Sequence, residues 1–121
     1  MTTNELLYMT MLRSESKRFC SFQKDIRIDS ALQEVTGHKA DDLGTKDRHV
    51  GLVIARHLGM FFYLKAGYSL NVSGKRFNRD HAMVIYARKQ IEKYYGMKAE
   101  KKLTDMVDEI SKLTGIKFKD D

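Results

Sequence analysis

Between Val50 and Leu64 apolar side chains recur three and four positions apart, at Val50, Val53, Ile54, Leu58, Phe61 and Leu64. That is the period of a helix with a buried face. It predicts a core helix over residues 48 to 66, ended by Gly67. Weaker forms of the pattern predict helices on either side. Residues 4 to 22 carry Leu6, Leu7, Met11, Leu12 and Phe19 on an imperfect face. Residues 29 to 36 turn Leu32 and Val35 inward, with Asp29 or Ser30 as N-cap and Gly37 as the closing residue. One helical turn is expected at 39 to 43. Residues 69 to 76 make a short helix beginning at Ser69, Asn78 makes a tight turn, and 80 to 95 make the next helix. In that helix Val84, Ile85, Ala87, Ile91 and Tyr94 or Tyr95 point inward. A last amphipathic helix, 98 to 114, aligns Leu103, Met106, Val107, Ile110 and Leu113, a face that packs on the domain or meets a partner. No proline interrupts any of these elements. The fold class is all-α, a compact bundle of about six helices, and residues 69 to 95 have the layout of a helix-turn-helix.

The 121 residues suit one domain spanning 1–121, and 42% apolar content is enough for a modest core. The single cysteine, Cys20, has no internal partner for a disulfide, which suits a reducing compartment. No apolar run approaches the ~20 residues of a membrane span, and the first twenty residues lack a signal-peptide core. The expectation is a soluble, cytoplasmic protein that does not enter a membrane.

Charge sharpens the picture. From Lys46 to Lys93 ten basic side chains face three acidic ones, so this middle stretch accounts for the whole net charge of +6. Concentrated positive charge points to a polyanion, nucleic acid first and an acidic membrane surface second. A solvated basic face without a partner is the plain alternative.

Enzyme chemistry finds little support. His38, His49, His57 and His81 lie far apart without ligand spacing, and no second cysteine assists, so no metal is expected. Asp80 and His81 are adjacent, so they project about 100° apart on a helix and do not make a triad contact. There is no nucleophile elbow and no phosphate-cradling glycine loop. The chain is therefore read as non-catalytic and without cofactors. Asn78-Arg79-Asp80-His81 remain to be explained. As an N-cap, Asp80 or Asn78 accounts for one residue, yet Arg79 then sits at the wrong end of a helix dipole. As the start of a recognition helix in a major groove, all four have a use. Asp80 accepts from cytosine, His81 donates to a base edge, Ala82 meets a thymine methyl, and Arg79, Arg88 and Lys89 lie beside phosphates. The competing readings are a helical adaptor with a basic face for an acidic protein partner and, with less support, an RNA binder.

The stretch "RDHAMVIYARKQI" resembles the signature of the C-terminal DNA-binding domain of the bacterial replication initiator DnaA, with its Trp-repressor-like helix-turn-helix. The resemblance runs back through "TKDRHVGLVIARHLGMFFYL", similar to the family's basic loop and following helix, and covers roughly residues 28 to 95. It implies double-stranded DNA as partner. It also implies base readout by Arg48, Asp80, His81, Ala82 and Met83, with Arg48 in the minor groove. Phosphate contacts would come from Lys46, Arg56, His57, Lys75, Arg76, Arg79, Arg88 and Lys89. Leu70 and Asn71 fall where the family has Leu-Pro near backbone and thymines. Ala82-Met83 replace a Thr-Thr pair, Asp47 interrupts the basic loop, and Asn78 stands where the family has Gly-Gly. These departures imply a different DNA site. The chain reads as a stand-alone relative without the family's ATPase module, acting in replication initiation or transcription control, including for a phage or mobile element. The added segments 1–24 and 97–121 are where a homodimer contact or protein partner would attach.

Overall fold

A computed structural model describes residues 24–46 and 48–118, and the helix expected at 4 to 22, Cys20 and Asp47 lie outside them. The described residues contain five α-helices, two short 3₁₀ turns and no strand: α1 (Ile26–Thr36), a 3₁₀ turn (Ala40–Gly44), α2 (Val50–Lys65), α3 (Leu70–Lys75), α4 (His81–Tyr94), a 3₁₀ turn (Lys98–Glu100) and α5 (Lys101–Thr114). The all-α expectation holds.

Helix α2 runs through the middle, packed against α1, α3, α4 and the first 3₁₀ turn. Its second half is buried on every side: Leu58, Gly59, Met60, Phe61, Phe62 and Tyr63. Each large apolar side chain taken from water there contributes roughly 1.5–3 kcal/mol. The first half differs. Val50, expected inward, is 70% exposed, because α2 leaves the core as it approaches the loop before it. Helix α5 lays Val107 and Ile110 against the bundle and packs chiefly on α1, so its apolar face is met within the domain, although Leu113 stays exposed.

Local capping sets most boundaries. Ser69 Oγ accepts from Val72 N–H (3.1 Å) to start α3, and Gly37 and Gly115 close α1 and α5 in the left-handed conformation. The start of α1 is a correction. Asp25, not Asp29 or Ser30, is the N-cap, its Oδ1 accepting from Ile28 N–H at 3.3 Å. Asp29 lies in the first turn and serves a tertiary contact.

That contact joins four elements. Tyr63 Oη on α2 donates to Asp29 Oδ1 (2.8 Å) and accepts from the Asp25 backbone N–H (2.7 Å) and from Arg76 Nε (3.2 Å). Arg76 Nη2, at the end of α3, donates to Asp29 Oδ2 (2.8 Å) and to Asp41 Oδ1 (3.0 Å). Burial pushes the Tyr63 hydroxyl well above its ordinary pKa, so it remains a donor. The Arg76 and Lys24 cations hold the Asp41 carboxyl below its ordinary value.

Two glycines allow the close packing behind the turn. A Cβ on Gly59 would stand 2.4 Å from Phe77 Cζ, and one on Gly74 would stand 2.5 Å from the Arg79 carbonyl oxygen. Gly74 is buried within α3 and lets the chain after α3 fold back across it, and Asn78 completes the reversal at φ 56°.

Gly74→Ala is expected to destabilise the protein by about 1–3 kcal/mol, since backbone must move to admit the methyl group. Arg76→Met, which leaves the Asp29 carboxylate without its cation, is expected to cost about 3 kcal/mol. Urea denaturation measures both. An unshifted midpoint in Arg76→Met would show that the Asp29 and Tyr63 contacts do not hold α3.

Candidate nucleic-acid interface

Helices α3 and α4, with the reversal between them, form the expected helix-turn-helix. Asp80 is the N-cap of α4, and its Oδ1 accepts from Met83 N–H at 3.0 Å. Capping does not withdraw it from solvent: Asp80, His81 and Ala82 are all exposed, and Met83 is half-buried. An imidazole and a carboxylate thus stand outward at the first turn of α4, where free backbone N–H groups also point.

Beside them lies the loop between the first 3₁₀ turn and α2. Lys46 and Arg48 are exposed on it. Lys46, Arg48, Val53, Arg56, His57, Arg79, Met83 and Tyr86 line one cavity of about 550 Å³, so residues far apart in sequence share a single concave, strongly basic surface. An arrangement of this kind concentrates positive potential against whatever anion approaches.

The cations divide into two kinds. Lys46, Lys75, Lys89 and Arg48 are exposed, and Arg88 is partly exposed, its Nε 4.0 Å from Glu92 Oε1. Arg76, expected on phosphates, is a correction: its side chain is 7% exposed and carries the ion pairs with Asp29 and Asp41. Arg56 is only 4% exposed, and its guanidinium donates to Leu43 O from Nε (2.6 Å) and to Thr45 O from Nη2 (3.1 Å). Arg79 donates from Nη2 to the same Thr45 O (2.6 Å) and from Nη1 to Asn78 O (2.9 Å). Both were expected on phosphates, and both are engaged with the protein's own carbonyls. Sequence could place these arginines near the site but not assign their acceptors.

Tyr86 carries no motif that singles it out in the sequence. It is 50% exposed, lines the cavity, and meets the half-buried His57 ring edge-on with centroids 5.8 Å apart. The signal was its place one turn after exposed Ala82, on the side of α4 away from Val84, Ala87 and Ile91. Leu70 and Asn71 sit at the start of α3, half-buried and exposed respectively. No group of three or more metal-ligating side chains occurs among the described residues. None of the described helices is long and apolar enough to cross a membrane.

Comparison with known proteins agrees with this geometry. Residues 27–91 match the family described as bacterial DnaA protein helix-turn-helix. The chain is similar to the chromosomal replication initiator protein DnaA of Thermotoga sp. (strain RQ2), 31% identical over 82 residues. It is also similar to the protein of that name from Thermodesulfovibrio yellowstonii, 36% identical over 91 residues. These alignments take in 65% and 73% of this chain but only 18% and 20% of the relatives, so the chain spans about a fifth of their length. No solved structure matches it significantly.

Burial, and then the neighbouring Arg56 and Arg79 cations, lower the pKa of His57 below the ordinary imidazole value. The unfolded chain therefore binds this proton first as pH falls. Stability held above the ordinary value is lost as pH drops from there through the lowered folded value. The melting temperature is expected to fall as pH drops below the ordinary imidazole value, and to fall less steeply in His57→Gln. Asp41, whose own window lies at carboxylate pH, does not contribute to this difference. Parallel curves for the two proteins would show that His57 is charged without penalty.

Proposed function

The chain belongs to the bacterial DnaA helix-turn-helix family, and on that premise we propose that it binds double-stranded DNA in a sequence-specific manner. The observation that carries the reading is the exposure of Asp80, His81 and Ala82 at the start of α4, next to a loop that exposes Lys46 and Arg48. A helix entering the major groove by its N-terminus puts those first residues at base edges. Asp80 accepts from cytosine N4 with the carboxylate that also caps the helix, and His81 donates to a base acceptor. Ala82 and the half-buried Met83 lie against apolar base surface, such as a thymine methyl. Arg48 reaches the adjacent minor groove from the loop. Lys46, Lys75, Arg88 and Lys89 neutralise phosphates and set register, which carries affinity but no sequence information. His57 and Tyr86 line the cavity between loop and helix.

The process served is control of replication initiation or of transcription near the bound site. Replication initiation is supported by the names of the two relatives, chromosomal replication initiator proteins of whose length this chain spans about a fifth.

Selection of duplexes from a random pool on the purified protein is expected to enrich a defined site. On that site His81→Ala should cost roughly 1–3 kcal/mol and relax preference at one position. Equal weakening on random duplex would refute base readout by His81. Lys46→Ala should weaken all sequences alike and reduce the slope of log affinity against log salt by about 1. An unchanged slope would remove Lys46 from the phosphate set.

A further inference from the structure

Three consecutive backbone carbonyls in the loop are each held by a side chain from elsewhere. Leu43 O accepts from Arg56 Nε at 2.6 Å, and Gly44 O accepts from Asn78 Nδ2 at 3.3 Å. Thr45 O accepts from both Arg56 Nη2 (3.1 Å) and Arg79 Nη2 (2.6 Å). These acceptors lie at the end of a 3₁₀ turn (Ala40–Gly44), where carbonyls lack intrahelical donors and the dipole is negative. Arg56 comes from α2, and Asn78 and Arg79 come from the reversal that leads into α4.

We propose that Arg56, Asn78 and Arg79 are positioning residues, a clamp that fixes the basic loop against the helix-turn-helix and so sets the offset between Arg48 and His81 for sequence reading. The proposal rests on the DNA-binding reading above and gives Arg56 and Arg79 a different role within it. Arg48 stands three positions after the clamped Thr45 and two before Val50, the first residue of α2. So close to two held points, its backbone keeps few conformations. Arg48 therefore sits at a set distance from the exposed start of α4. Its readout and that of His81 then select one spacing of minor-groove and major-groove features. A planar guanidinium spans two carbonyls at once, which an ammonium on a flexible stem does not reproduce. The left-handed backbone of Asn78 brings its amide to Gly44 while turning the chain toward Asp80.

The test is Arg79→Lys, which keeps the charge and removes the fork, with Asn78→Gly beside it. The glycine substitution keeps the backbone conformation, changes no charge and deletes the amide. Binding is measured on the selected duplex and on random duplex across a salt series, well below each variant's melting temperature. Arg79→Lys should bind the selected duplex roughly tenfold more weakly, the size of a lost bond to a charged group. Its affinity for random duplex and its salt slope should stay unchanged. Asn78→Gly should lose in the same direction by less. In the free protein, amide exchange at Thr45, Lys46, Arg48 and His49 should quicken about tenfold in Arg79→Lys. Equal weakening of Arg79→Lys on both duplexes, or full retention on both, would overturn the proposal in favour of a phosphate contact. Unchanged exchange would overturn it without reference to DNA. If the parent protein bound no duplex, the DNA-binding reading would fall, and with it the role in sequence reading, while the exchange result would still decide whether a clamp exists.

Discussion

The hydrogen-bonded ion pair between Arg76 and Asp29, seated on the Tyr63 hydroxyl, is the constraint on which the functional surface depends. Helix α3 has six residues, too few to persist on its own propensity. It keeps its place because Arg76 at its end reaches α1 and the first 3₁₀ turn while lying against Tyr63 of the core helix. Replacing both partners of such a pair by well-packed apolar side chains costs little net stability, whereas removing one leaves the other uncompensated. The pair's contribution here is geometric. Both Asp29 oxygens are engaged, and Tyr63 serves as donor once and acceptor twice, so the polar groups are matched in one arrangement of helices.

From that anchor the site follows by short steps. Once α3 is fixed, the close crossing over Gly74 and the left-handed residue Asn78 fix the direction in which the chain leaves. Asp80 then caps α4, and His81 and Ala82 are left facing solvent. Capping and exposure are compatible at Asp80 because one carboxylate oxygen satisfies the Met83 N–H while the residue remains at the surface. The basic excess of the middle segment is likewise divided. Arg76 pairs with Asp29 and Asp41, Arg56 and Arg79 satisfy loop carbonyls, and Lys46, Arg48, Lys75 and Lys89 stay exposed.

Much of the fold was legible in the sequence because helix formation is decided within a few residues. The three-and-four spacing located α2, α4 and α5, Ser69 and Gly37 marked ends, and Asn78 marked the reversal. The exposed start of α4 was legible for the same local reason: a polar run before an apolar-periodic stretch leaves its side chains outside. Where local signals compete, the reading slipped. Asp25 and Asp29 are both good caps, and the choice between them is made by Tyr63, whose hydroxyl binds the Asp25 N–H, 38 residues away. Periodicity placed Val50 inside, yet whether anything covers that turn depends on where the loop before it goes.

By itself, then, the sequence determined that the chain is helical, where its helices run, and that a polar, cation-flanked turn opens α4. It also carried the family signature. The tertiary structure alone decided which arginines face outward. Arg76 meets Asp29 across 47 positions and Arg79 meets Thr45 across 34, and no periodicity encodes such pairings. A guanidinium binds a carbonyl, a carboxylate or a phosphate with the same planar donors. Its residue type therefore announces a role for charge, and only the folded chain, by bringing one acceptor within 3 Å and leaving the others in solvent, settles which.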